Sequence, residues 1–304
     1  MRANPLFLSA ALVLAFATTT PGQVAAQDMP PQTDAEKRAL LDRVLEHQKK
    51  NDAALDTYER IERVETRKSS ADEQNPTIKV SRVVPAGTGV DHIPIGADGK
   101  PTDADAYREE LVKLEKTLAW AAENGRAQQD AYAKTAKKKK EREELTDAAR
   151  NAFLFSFIAR DPRADRMLLK YSMVPNPAFK PTSRSSWLFT RVRGAVWIDE
   201  ASGQLARIEG EVTDDISFGL FVAKVYKGSH FMQERYETAP GIWLPSFSQY
   251  DFDGRKFFSS FSLHERTFYT NYRFIGPPKD ALAVIRAELA HADLGKSGGT
   301  VADP

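Results

Sequence analysis

The 304-residue chain contains no cysteine. That excludes disulfides, thiol nucleophiles and thiolate metal sites. Histidine is scarce: His47, His92, His230, His264 and His291 are the only five. No two of them stand four apart on a predicted helix. A metal site would need His230 and His264 to meet across strands, and nothing local requires it, so no metal is expected. Charge of one sign is also lacking. Lys plus Arg number 43 against 42 Asp plus Glu, a formal charge of +1. No bulk field argues for nucleic acid or for an anionic membrane surface. There is no Gly-x-Ser-x-Gly elbow, phosphate loop or dinucleotide glycine pattern. No catalytic residue and no cofactor are therefore expected, and the chain does not read as an enzyme. The pair Asp214-Asp215 is open to a cation or acid–base role, but turn preference alone accounts for it.

Long apolar runs are missing too, with one exception. Leu6 to Ala17 follows Arg2 and precedes the small residues Val24-Ala25-Ala26. The run is too short to span a bilayer comfortably, and the pattern is that of a secretory signal peptide cut after Ala26. The expectation is an exported, periplasmic protein with no transmembrane segment in the mature chain. Residues 27–33 read as a Pro-rich, flexible lead.

The chain is rich in alternating patterns between Trp187 and Phe274. In Leu188 to Ile198 one side carries Leu188, Val192, Val196 and Ile198; the other carries Trp187, Phe189, Arg191, Arg193 and Trp197. That period of two predicts a strand. Glu200 to Gly203 supplies a turn, and Gln204 to Thr213 returns with Ala206, Ile208 and Val212 opposite Arg207, Glu209 and Glu211. The return strand has one wet face. The first has aromatics on its second face, so a helix or a ligand is expected to cover Trp187, Phe189 and Trp197, unless they are ordinary packing aromatics. Further strands are expected over Phe218–Tyr226, Ser229–Thr238, Trp243–Phe252, Lys256–Glu265 and Thr267–Phe274. Lys227-Gly228, Pro240-Gly241 and Asp253-Gly254 separate them, an antiparallel meander. Trp243 fits either a pocket mouth or a structural role at the start of its strand.

Upstream, Asp34 to Ala54 reads as an amphipathic helix with Asp34 as cap and Leu40, Leu41, Val44, Leu45 and Gln48 near one face. Thr57 to Thr66 spaces its apolar residues by three, a helical feature, but pairs naturally with the strand Thr77 to Val84 and is read as a strand. Gly87 to Gly99 reads as loop. Ala104 to Asn151 is a long helical region, broken near Asn124-Gly125. Its Lys137-Lys138-Lys139-Lys140 run suits either anionic headgroups or a solvated face. Asn151 to Ile158 is apolar enough to dock into the sheet, and Met167 to Val174 reads as a strand. Pro175, Pro177 and Pro181 impose an irregular crossover. A single domain over 34–276 is expected, with a charged helical insertion around 104–150. Residues 277–304 should hold a short helix and a disordered tail.

The hairpin Gly194-Ala195-Val196-Trp197-Ile198-Asp199, the turn Ser202-Gly203, the return Arg207-Ile208-Glu209-Gly210, then Lys227-Gly228 and Trp243-Leu244-Pro245, resemble the sheet of exported bacterial proteins related to the outer-membrane lipoprotein-sorting family, which includes the periplasmic lipoprotein carrier. The likeness covers about two thirds of the mature chain on this pattern. It implies an α+β fold, a curved open antiparallel β-sheet (half-barrel) with helices packed on its concave side. It also implies a hydrophobic ligand or acyl chain between them. The charged stretch Arg126 to Arg150 departs from such carriers, and no position can be assigned as an arginine that gates acyl release. On this reading Trp187, Phe189 and Trp197 are the candidate ligand-binding residues. The alternative is a structural or sensory envelope module that binds another envelope protein through the sheet edge or the long helix.

Overall fold

The computed structural model describes residues 33–67, 75–123, 129–218, 223–256 and 259–297. The expected leader, the break near Asn124-Gly125 and the expected tail beyond residue 297 lie outside them.

The chain opens with helix α1 (Asp34–Leu55). Its cap is Thr33 rather than Asp34: the Thr33 hydroxyl accepts from the Glu36 amide and the Glu36 carboxylate accepts from the Thr33 amide. This capping box satisfies two amides that the first turn would leave bare. Strands β1 (Tyr58–Arg67), β2 (Thr77–Pro85) and β3 (Val90–Pro94) follow. The ambiguous Thr57–Thr66 segment is thus a strand, and the expected Gly87–Gly99 loop contains a short one. Helices α2 (Ala104–Glu123) and α3 (Gln129–Ala152) lead to β4 (Phe153–Arg163) and β5 (Arg166–Pro175). After the proline crossover, a one-turn helix α4 (Arg184–Trp187) and a 3-10 turn at Leu188–Arg191 precede β6 (Val192–Asp199). Next come β7 (Leu205–Val212), β8 (Ile216–Phe218), β9 (Ala223–Val225), β10 (His230–Ala239), β11 (Ile242–Lys256), β12 (Ser259–Phe274) and helix α5 (Pro278–Ser297).

All the strands join one open antiparallel sheet of twelve, in the order β3-β2-β1-β12-β11-β10-β7-β6-β5-β4, with β8 and β9 attached beside β11. So many strands of one twist cannot lie flat. Register shifts at Glu59/Ile61, Phe157/Ala159, Trp197/Ile198 and Glu234/Arg235 bend it further. The result is a curved, unclosed half-barrel, as expected, with α1 packed across β1, β7 and β11.

Other expectations change. The strands expected over Lys256–Glu265 and Thr267–Phe274 are one strand, β12. Residues 187–191 are helical, so β6 starts only at Val192 and the alternation read from Leu188 onward applies from that point. Asp253-Gly254 is no turn: β11 runs through it to Lys256, pairing with β12 on one side and β9 on the other. Gly254 marks a close approach, since a Cβ there would sit 2.2 Å from the Lys224 carbonyl oxygen.

Helices α2 and α5 cover β2 and β3, burying Leu111, Leu114, Leu118, Ile275, Ala281 and Ile285 with Val84 and Ile93. Arg82 ties this end together, donating to Glu59, to Glu288 and to the Tyr107 hydroxyl. Helix α3 lies along α1 with an ion-paired seam: Arg150–Asp42 at 2.8 Å, Lys49–Asp147 at 2.9 Å and Lys139–Asp56 at 2.5 Å. One member of the lysine run therefore has a partner on α1.

The curl at β6 and β7 depends on Gly194, which pairs with Gly210. A Cβ on Gly194 would lie 1.9 Å from the Glu209 carbonyl oxygen, a backbone atom that cannot swing aside. Gly194→Ala should therefore destabilise the protein by roughly 1–3 kcal/mol, as overpacking does. Urea denaturation monitored by tryptophan fluorescence measures it; an unchanged midpoint would show that the two strands separate freely.

Candidate functional site

The alternation of β6 and β7 determines what lies under α1. Val192, Val196 and Ile198 of β6 share the inner face with Ile208 and Val212 of β7. Leu41, Val44 and Leu45, on one stripe of α1, face them. Between these surfaces is a hollow of about 400 Å³. Phe153, Phe155 and Met173 close it on the β4–β5 side, Leu188 and Phe189 at the 3-10 turn, and Phe231 and Phe252 on the β10–β11 side. Every residue lining it is apolar except Arg150, in the last turn of α3. Its volume lies in the range of about 300–1,000 Å³ typical of small-molecule sites.

A wider depression, about 490 Å³, involves the outward side chains Lys170, Arg193, Arg207, Glu209, Glu211 and His230. It is the weaker candidate. Four of its charges are already paired with one another, Arg207 with Glu209 at 2.8 Å and Arg193 with Glu211 at 3.1 Å. A solvated charged sheet face gives this arrangement without a ligand.

Of the aromatics singled out above, Phe189 lines the hollow and packs against Phe153, ring centroids 5.4 Å apart. Trp187 does not line it; it sits in α4 with the Arg191 guanidinium 5.4 Å from its ring. Trp197 alternates away from Val196 and Ile198, to the outer face. There Lys170 and Arg207 lie over its ring at 4.6 and 4.8 Å, and its indole N–H donates to Asp161 at 3.0 Å. It is 3% exposed because neighbouring strands cover it with cations, contacts worth about 0.5–1 kcal/mol each near a surface. Trp243, buried in the same cluster with Leu168, Ala195 and Ala206, has Arg166 4.8 Å from its ring. The residues that form the hollow were legible as the clean apolar face of the hairpin and of α1, which sequence reasoning assigned to core.

His230 and His264 do meet across strands, both on Asp251. His230 Nε2 lies 2.9 Å from one carboxylate oxygen and His264 Nδ1 2.9 Å from the other. Burial pushes the Asp251 carboxyl up, but hydrogen bonds from Gln249 and His264 and the charges of the two imidazoles outweigh it and hold the group below its usual range. Among the described residues no group of histidine and acidic side chains is placed to hold a metal. Asp214 pairs with Arg191 at 3.2 Å and Asp215 with Lys224 at 2.6 Å, which neutralises the turn.

From Arg235 of β10 onward the inner face becomes polar. Arg235 is 9% exposed and faces Asp52 of α1 at 3.8 Å, and Gln48 donates to Asp52 at 2.7 Å. Burial pushes the Asp52 carboxyl up despite Arg235, and the same burial pulls the Arg235 guanidinium down. Arg60 and Glu62 form a second buried pair at 2.7 Å. Helix α1 is pinned between the two halves by Asn51, 2% exposed. Its amide donates to Gln204 at 2.9 Å and its carbonyl accepts the Trp243 backbone N–H at 3.0 Å.

No family model matches the chain, and no curated protein matches it. Solved structures do, two of them as follows. One is a LolA superfamily protein from Nitrosomonas europaea, 8% identical, with 78% of this chain and 92% of that one covered and a TM-score of 0.29. The other is a putative outer membrane lipoprotein-sorting protein domain from Vibrio parahaemolyticus, 10% identical, with 77% and 93% covered and a TM-score of 0.31. At such identities no residue role transfers from either to this chain. Among the described residues no helix is long and apolar enough to cross a membrane.

Asn51→Ala should leave the Trp243 amide buried without an acceptor and loosen α1 above the hollow. The expected loss is about 1–3 kcal/mol, the penalty for an orphaned buried donor. Hydrogen exchange should rise over 41–55 more than over α2. Uniform exchange in both helices would show that Asn51 does not hold α1 specifically.

Proposed function

We propose that this is an exported, periplasmic, non-enzymatic protein that holds a hydrophobic ligand, an acyl chain, in the hollow between α1 and the sheet, in envelope lipid or lipoprotein trafficking. The observation that carries the reading is the lining: nineteen apolar residues and one arginine around about 400 Å³. Protein interiors normally close such a space, since side chains that face a void forfeit dispersion attraction on that side. An alkyl chain fills it without polar partners, at about 0.8 kcal/mol per methylene buried. Binding is then a matter of burial and shape, and no bond is made or broken. Phe189 is the aromatic we assign to the site. Trp187 and Trp197 have the indirect role of ordering the chain that leads into β6 and the face behind it. The leader over 1–26 supplies the export signal.

A second reading rests on the sheet edge. Strand β4 is the last in the sheet, and its outward Leu154 and Ile158 are both 49% exposed. A long strand edge with apolar outward residues offers itself to a strand of another envelope protein.

The test is extraction. Protein purified natively from the envelope fraction should yield alkyl-chain lipid by mass spectrometry. Val196→Trp, which fills the hollow, should yield none while remaining folded. Empty wild-type protein that also fails to take up alkyl ligands in vitro would refute the carrier reading. A cross-linked protein partner at β4 from lipid-free protein would favour the second.

A further inference from the structure

The single polar residue of the hollow has a position that suits one end of a ligand. We infer that Arg150 anchors the anionic headgroup of a single-chain amphiphile, a carboxylate or phosphate monoester, whose tail lies in the hollow. This rests on the acyl-site reading above and names the ligand class.

Three observations meet at Arg150. It lines the hollow, yet one third of its side chain reaches solvent (33%), so it stands at the boundary between the two. Its partner is loosely held. Arg150 Nε lies 2.8 Å from Asp42 Oδ1, but neither buried atom has a hydrogen bond of acceptable geometry. Asp42 is itself 46% exposed and can turn into water, with about 0–1 kcal/mol at stake in such a surface pair. Two of the carbonyls ending α3, which would repel an anion, already have donors: Asn176 donates to Asn151 O at 2.9 Å and to Ala152 O at 2.8 Å. An arriving carboxylate or phosphate would meet the solvent-reaching part of a guanidinium, the group with which arginine recognises such anions.

Size limits the tail. A methylene takes up about as much space as a water molecule in the liquid, about 30 Å³, so a hollow of about 400 Å³ holds on the order of a dozen carbons. That is one chain, not the two or three of a membrane lipid.

The experiment uses delipidated full-length protein and three probes of equal chain length: laurate, dodecyl phosphate and 1-dodecanol. Affinities are read by displacement of a fluorescent alkyl probe. Wild type should bind the anions roughly tenfold or more tighter than the alcohol, the strength of a charge-assisted hydrogen bond. Arg150→Gln should collapse that ratio to near one, and Arg150→Lys should restore part of it. Asp42→Asn, which releases Arg150 from its partner, should raise anion affinity while leaving the alcohol where it was. The relative affinity of laurate and dodecyl phosphate identifies which headgroup is favoured. Equal binding of anions and alcohol by wild type, or an Asp42→Asn variant that binds anions more weakly, would overturn the inference and leave the acyl site standing. Binding of none of the three would overturn both.

Discussion

Everything under α1 depends on how that helix is held. Asn51 bridges the β6–β7 turn and β11, receiving the Trp243 amide and donating to Gln204. His47, one turn earlier, reaches the Gly203 carbonyl at 3.2 Å. These are directional contacts, satisfied only at one helix position. Apolar burial alone would let α1 sink toward the sheet until the space closed. Pinning by hydrogen bonds sets its height and leaves the apolar stripe Leu41, Val44 and Leu45 facing β6 and β7 across an interval that side chains do not fill. A hollow of this kind survives because polar contacts elsewhere define the frame.

The outside of the same frame is fixed by charge. Helix α3 would be unstable as an isolated polar helix, yet against α1 its Lys139, Asp147 and Arg150 each find an opposite charge. Exposed pairs contribute little singly, so the seam is a registering device more than a source of stability. On the outer sheet face the same residue types do a different job. Lys170, Arg166 and Arg207 lie over Trp197 and Trp243, covering aromatic surface with chains that keep their charged heads near water.

The sequence made the sheet and the main helices legible, because period-two and period-3.6 patterns are local; the open, curved form came only from the resemblance of the hairpin to the lipoprotein-sorting family. It also placed the apolar hairpin face and the α1 stripe correctly. It did not show that these two surfaces stand apart, since a gap is a property of tertiary spacing. Trp187 to Arg191 misled for a physical reason: aromatic and β-branched residues favour strands, but the packing of Phe189 on Phe153 holds the chain in a helical turn. Trp197 looked like lining because its covering cations come from β5 and β7, and their register is invisible one strand at a time. Asp253-Gly254 has turn chemistry, yet the approach of β9 uses the missing Cβ instead. The meeting of His230 and His264 on Asp251 likewise needed the register of β10, β11 and β12.

The inner face carries its own directional logic. Along α1, Asp42 stands beside Arg150 at one end of the hollow, and Asp52 stands beside Arg235 ten residues on, a distance of about 15 Å along the helix. The first pair has both side chains partly in water. The second is buried, with Arg235 also donating to Gln233 at 2.9 Å. Pushing an alkyl terminus into that second pair would strip charged groups of their partners in a low-dielectric interior, which costs several kcal/mol. The polar half of the sheet therefore stays outside the apolar hollow, which neither Asp52 nor Arg235 lines.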